Sequence, residues 1–162
     1  FAEVDSCYNQ FRKRASLSSS SLSIVSELKS GSAWYVPGGC STIGRLFNDA
    51  CGRYAFAGDK HSGSIPLAFE TVFDKAGDAD VWTIKYNRDR DMTYSDLKAD
   101  YIGYTGFKAF KTRNIYGCNT AKVPFYEETP FRPDYLLSDL IQILHPEIGD
   151  LGGLRYFCKL NE

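Results

Sequence analysis

Few side chains in this sequence carry obvious chemical reach: two histidines, His61 and His145, and five cysteines, Cys7, Cys40, Cys51, Cys118 and Cys158. A hydrolytic Ser-His-Asp site needs a histidine held between a nucleophile and an acid. His61 sits in the turn-like stretch DKHSG and His145 stands before a proline at a helix end, so both read as surface residues. The cysteines form neither a C-x-x-C pair nor the Cys/His spacing of a zinc site, and no metal is expected. They read as staples of a secreted, extracellular domain, in which four can pair and one is left over. The segment NRDRDMTYSD alternates acid and base as a solvated hairpin tip does, unlike a calcium loop. GSAWYVPGG has no lysine after it and makes no phosphate cradle.

The aromatic residues, with 11 Tyr and two Trp among them, point instead to binding. Read as an extended chain, VWTIKY puts Trp82, Ile84 and Tyr86 on one face and Val81, Thr83 and Lys85 on the other. In IPLAFETVF, Leu67 and Phe69 share an apolar face with Ile65 and Phe73. Tyr94 and Tyr104 extend the set. Trp82, Ile84, Tyr86, Leu67, Phe69, Tyr94 and Tyr104 are therefore the candidate lining of a cavity for a small apolar or aromatic ligand, with hydroxyl and indole donors on apolar bodies. The alternative is that they fill a core.

The elements that would position them read as strands. From Cys51 onward the runs RYAFAG, SIPLAFETVFD, ADVWTIKYN, MTYSDLKADYIGYTGFKAF and NIYGCNTAKVPFY are separated by turn signals about every ten residues, the spacing of an antiparallel meander. RPDYLLSDLIQILHPEIGD alone has helical periodicity, from a Pro-Asp start to a stop before Pro146. The expected organisation is a single domain over 1–162: a lead-in over 1–27 with a mobile serine-rich stretch at 16–23, strands over 28–130, a helix over 133–145, and a tail over 146–162. A net charge of −1 with scattered lysines and arginines advertises no nucleic acid. No apolar run approaches the roughly 18 residues of a membrane span. The chain begins at Phe1 without a signal-like apolar core, as a mature secreted chain or a trimmed one would.

The order of these pieces resembles the lipocalin family. Gly31-Ser32-Ala33-Trp34-Tyr35 is similar to the family's Gly-x-Trp-Tyr motif with one residue too many, Ala99-Asp100-Tyr101-Ile102-Gly103-Tyr104 to its Thr-Asp-Tyr-x-x-Tyr motif, and Glu127-Glu128-Thr129-Pro130 to its Ser-Arg-Thr-Pro motif with glutamate in place of arginine. The resemblance implies an all-β fold, an eight-stranded up-and-down antiparallel barrel with one C-terminal helix. By likeness to arthropod lipocalins of the crustacyanin and nitrophorin sort, it implies Cys7–Cys118 and Cys51–Cys158 disulfides with Cys40 free. It implies a secreted carrier with no obligatory cofactor. Haem or a pigment would be a cargo of the nitrophorin or crustacyanin kind, although His61 lies too near Cys51 to match the nitrophorin histidine. An alternative is a lipocalin-fold enzyme such as a hydroxynitrile lyase, with Lys85, Lys108, Lys122 or Arg53 turned inward as base or electrostatic stabiliser.

Overall fold

The computed structural model describes residues 1–162. In chain order the elements are α1 (Ala2–Ser16), β1 (Ser23–Ser26), β2 (Lys29–Ser30), β3 (Ala33–Pro37), α2 (Thr42–Asp49), β4 (Arg53–Tyr54), β5 (Ser64–Leu67), α3 (Phe69–Ala76), β6 (Val81–Tyr86), α4 (Tyr94–Asp100), a 3-10 turn (Ile102–Gly106), α5 (Lys108–Lys111), β7 (Ile115–Asn119), α6 (Phe125–Glu128), α7 (Pro133–Leu144) and β8 (Cys158–Lys159).

Apolar residues occur in two patterns, and folding separates them. Ile24-Val25 and Val81-Trp82-Thr83-Ile84 are continuous runs buried on both faces. Such runs suit a parallel sheet covered by helices on each side. They lie at the centre of a five-stranded sheet of order β4-β1-β6-β7-β8, parallel throughout except for β8. The second pattern has period 3.6. Ile43, Leu46, Phe47 and Ala50 form one helical stripe, and Phe69, Val72, Phe73 and Ala76 another. These are α2 and α3; a smaller antiparallel sheet, β2-β3-β5, takes its first two strands from before α2 and its third from just before α3.

The expected all-β barrel is thus replaced by a mixed α/β fold. Eight strands do form, but in two open sheets, and the central pairings are parallel. The stretch KADYIGYTGFKAF, expected as barrel wall, is helical: α4, the 3-10 turn and α5 follow one another. Thr93 starts it with a capping box, its hydroxyl accepting from the Asp96 N–H while the Asp96 carboxylate accepts from the Thr93 N–H. Tyr94, Leu97, Tyr104 and Phe107 then turn inward as core. The lead-in is also structured. Its helix α1 packs on α7, buries Ala15, and is pinned where the Tyr8 hydroxyl donates to Asp49 at 2.5 Å. The helix expected over 133–145 is α7, whose Leu136, Leu137, Leu140, Ile141, Ile143 and Leu144 are buried. Behind it, the buried Asp139 carboxylate accepts from the backbone N–H groups of Arg155, Tyr156 and Phe157, which ties down the tail.

The two sheets meet at an aromatic cluster. Trp34 of β3 stacks on Trp82 of β6 with ring centres 5.8 Å apart, and Phe107 lies 4.9 Å from Trp82. No helix is long and apolar enough to cross a membrane.

Candidate functional site

In an open parallel sheet, ligands collect beyond the carboxyl ends of the strands, at the point where successive crossovers leave in opposite directions. Here β1 connects to β4 on one side while β6 and β7 lie on the other, so that point falls between β1 and β6. Glu27 follows β1 there, and Lys85 stands near the end of β6. Lys85 Nζ lies 3.2 Å from Glu27 Oε1, and the two side chains are only 19% and 24% exposed. The ammonium also sits 5.1 Å from the Phe125 ring centre and 5.9 Å from that of Tyr126.

Glu27 has a φ of +72°, left-handed backbone that a side chain with a Cβ resists. It is held there from three sides. Its N–H donates to the Thr83 carbonyl at 2.9 Å, the Trp82 indole donates to its carbonyl at 2.9 Å, and the Trp34 indole donates to the preceding Ser26 carbonyl at 3.0 Å. Strain kept in place by such support is typical of binding and catalytic sites.

A cleft of about 320 Å³ opens over this pair, with Tyr35, Ser41, Thr42, Ile43 and Ser64 along its sides. Its far wall is the start of α2. Ser41 caps that helix, accepting from the Gly44 N–H at 3.0 Å and donating to the Gly38 carbonyl at 2.6 Å, an arrangement worth about 1 kcal/mol of helix stability. The Gly38-Gly39 turn before it is packed too tightly for side chains: a Cβ on Gly38 would lie 2.3 Å from the His61 carbonyl oxygen. Thr42 and Ile43 at the start of α2 and the Glu27–Lys85 pair therefore border one cleft. The helix start and the ammonium each favour negative charge, and the Glu27 carboxylate supplies it to the ammonium. Tyr54 donates to the carbonyl of Pro37, a cleft residue, at 2.6 Å, and burial with the nearby Glu27 charge pushes its phenol well above the usual range.

The residues expected to line a barrel cavity lie elsewhere. Trp82, Ile84, Tyr94 and Tyr104 are buried core, and Tyr86, Leu67 and Phe69 pack against that core half-buried. The tyrosine hydroxyls serve backbone: Tyr86 accepts from the Met92 N–H, Tyr94 from Ile115 and Tyr104 from Lys29. Of the cations considered for an enzyme, only Lys85 reaches the cleft. Lys108 and Arg53 meet on Asp80 at the opposite end of the sheet, at 2.5 and 3.6 Å, and Lys122 pairs with Asp91 at 3.4 Å. All five cysteines are free, so neither Cys7–Cys118 nor Cys51–Cys158 is formed. Cys118 is buried in β7, where desolvation pushes its thiol up to about 12. His145 is fully buried, with Nδ1 2.7 Å from Ser20 Oγ and Nε2 2.7 Å from the Ala50 carbonyl oxygen. It joins α7 to the segment before β1 as a structural strut, not as a surface residue. His61 is exposed beside Asp59.

Glu27 and Ser41 were not singled out by the sequence reading, and Tyr35 was named only within the tryptophan motif. The Gly-Gly-Cys-Ser turn opening an Ile-x-x-Leu-Phe stripe is the signal that could have found the α2 wall.

Comparison with known proteins agrees with this fold. A family model described as periplasmic binding protein matches residues 1–121. An uncharacterized lipoprotein of Methanocaldococcus jannaschii is 31% identical over 128 residues, which are 78% of this chain and 30% of that protein. Among solved structures, a periplasmic heme binding protein from Pseudomonas aeruginosa superposes with a TM-score of 0.69 at 13% identity, and the TroA-like periplasmic binding protein FepB from Veillonella parvula with 0.67 at 15%. Each comparison covers 99% of this chain and 56% of the other. The chain therefore spans under a third of the curated relative and a little over half of these solved chains. The lipocalin reading, as carrier or as lyase, is overturned by these matches and by the parallel sheet. With three quarters of its length matched by the family model, the chain belongs to the periplasmic binding protein family, a family of the cell envelope and not of freely secreted carriers.

Proposed function

We propose that this chain forms one lobe of a substrate-binding protein, and that the Glu27–Lys85 cleft is its half of the binding site for a small ligand of the haem or ferric-chelate class. Proteins of this family close two domains around a ligand by hinge motion, and the chain's share of its relatives is that of one such domain. The observation that carries the reading is the convergence of Lys85 and the α2 N-terminus at the sheet's switch point. Tyr35 on the cleft wall and Tyr126, whose ring centre is 5.9 Å from the Lys85 ammonium, are 50% and 62% exposed and offer flat aromatic faces to a planar ring. The structural relative named for heme binding makes haem the first cargo to try.

Titration with haemin and, separately, with a ferric hydroxamate tests this. One of them shifts its absorbance saturably, and Lys85→Ala weakens that binding by roughly ten-fold, as the loss of one charge-assisted contact does. Binding of neither, or binding unaffected by Lys85→Ala, refutes the assignment of the cleft.

A further inference from the structure

Ser26 closes β1 and Thr83 stands beside it in β6; the parallel register pairs them, so both hydroxyls leave the sheet on the same face. That face is roofed by Ile43 and Phe47 of α2 and by Leu136 and Leu140 of α7. Ser26 is 2% exposed, and its Oγ makes no hydrogen bond to any group of the protein. Buried hydroxyls without a partner are rare because each forfeits its hydration. This one lines a void of about 20 Å³, above the roughly 10–15 Å³ that one water-sized group requires. Glu27 and Lys85 border both this void and the cleft, so the void lies directly behind the ion pair.

We propose that the void is a hydroxyl-binding subsite. It takes one neutral hydroxyl-bearing group, either the end of a larger ligand held in the cleft or a small free alcohol, with Ser26 Oγ as hydrogen-bond partner and the Glu27–Lys85 pair as its lip. The roof of four apolar side chains from α2 and α7 admits a neutral group at lower cost than a charged one. The subsite deepens the reading of the cleft given above and rests on it for the larger ligand, but its occupation by a free alcohol can be measured alone.

The two indoles supply the readout, since Trp34 and Trp82 donate to the carbonyls of Ser26 and Glu27. Ethanol is titrated into the ¹⁵N-labelled chain and into Ser26→Ala, following the indole N–H resonances. Ethanol is expected to shift both resonances saturably in the wild type and to bind about ten-fold more weakly to Ser26→Ala. Absence of a saturable ethanol shift in the wild type overturns the subsite, and so does equal ethanol affinity in Ser26→Ala. Haemin or ferric hydroxamate titrated into the same samples keeps the two readings apart. Chelate binding with no ethanol binding sinks the subsite alone, and a retained ethanol shift combined with loss of chelate binding sinks the cargo alone. A difference between free alcohol and tethered hydroxyl follows from whether bound chelate displaces ethanol.

Discussion

Replacing Glu27 with glycine is expected to give a more stable protein than replacing it with alanine, the reverse of the usual order in a strand or helix. Both variants delete the carboxylate that pairs with Lys85 at 3.2 Å, so the ion pair cancels between them and only the backbone differs. At a φ of +72°, a residue with a Cβ costs roughly 1–2 kcal/mol. Glycine escapes that cost but loses roughly 0.5–1 kcal/mol more chain entropy on folding. The difference leaves Glu27→Gly ahead of Glu27→Ala by about 0.5–1 kcal/mol. Both should fall below the wild type by about 1–3 kcal/mol, since each leaves the mostly buried Lys85 ammonium unpaired. Guanidinium unfolding with a common slope would resolve the gap as a difference in midpoint. An alanine variant equal to or more stable than the glycine variant would refute the idea that the end of β1 is held under strain.

Two further outcomes are expected. With all five thiols free, Cys40, exposed in the turn before α2, should alkylate in the native protein at pH 8, whereas the buried Cys118, its thiol raised to about 12, should react only on unfolding; mass mapping of the labelled peptides checks both. Asp96 is held well below the usual carboxylate range, first by the two 2.7 Å bonds from Arg90 and then by the Thr93 N–H. Because its folded value is depressed, its contribution is present above the unfolded value near 4 and is lost as pH falls toward the folded one, so acid melting of α4, followed by amide exchange at Leu97 and Tyr101, should become less pH-dependent in Arg90→Gln.

The central strands were legible in the sequence, because Val81-Trp82-Thr83-Ile84 and Ile115-Tyr116-Gly117 are β-prone runs, and α7 was legible from its leucine spacing. What went astray was the partner of each strand. Buried on both faces, β6 has no outward set, so sorting Trp82, Ile84 and Tyr86 from Val81, Thr83 and Lys85 had no physical meaning in a covered parallel sheet. Short helices were hidden by aromatics: Phe69, Val72, Phe73 and Ala76 satisfy the helical spacing, yet their residue types favour strands, and tertiary packing decided. The site was only partly visible. Lys85 could be named as a charge on a strand, but its partner Glu27 owes its role to a backbone conformation that glutamate seldom adopts, and the α2 N-terminus is a backbone feature that a pass over side chains does not reveal. Motif order suggested a barrel because Gly-x-Trp-Tyr and Asp-Tyr-x-x-Tyr fragments are short enough to recur in an unrelated fold.

The borders of the two sheets bear on how the chain behaves when crowded. The outermost strands of the larger sheet, β4 and β8, are two residues long, and β8 exposes Lys159; in the smaller one, β2 is equally short and β5 carries Pro66. An incoming strand would find one or two ladder bonds at most borders, a charge at one and a missing donor at another. Native copies thus offer each other no template for strand addition. Fibre growth would have to begin from unfolded chains, through the Val81–Ile84 run that the fold keeps at its centre.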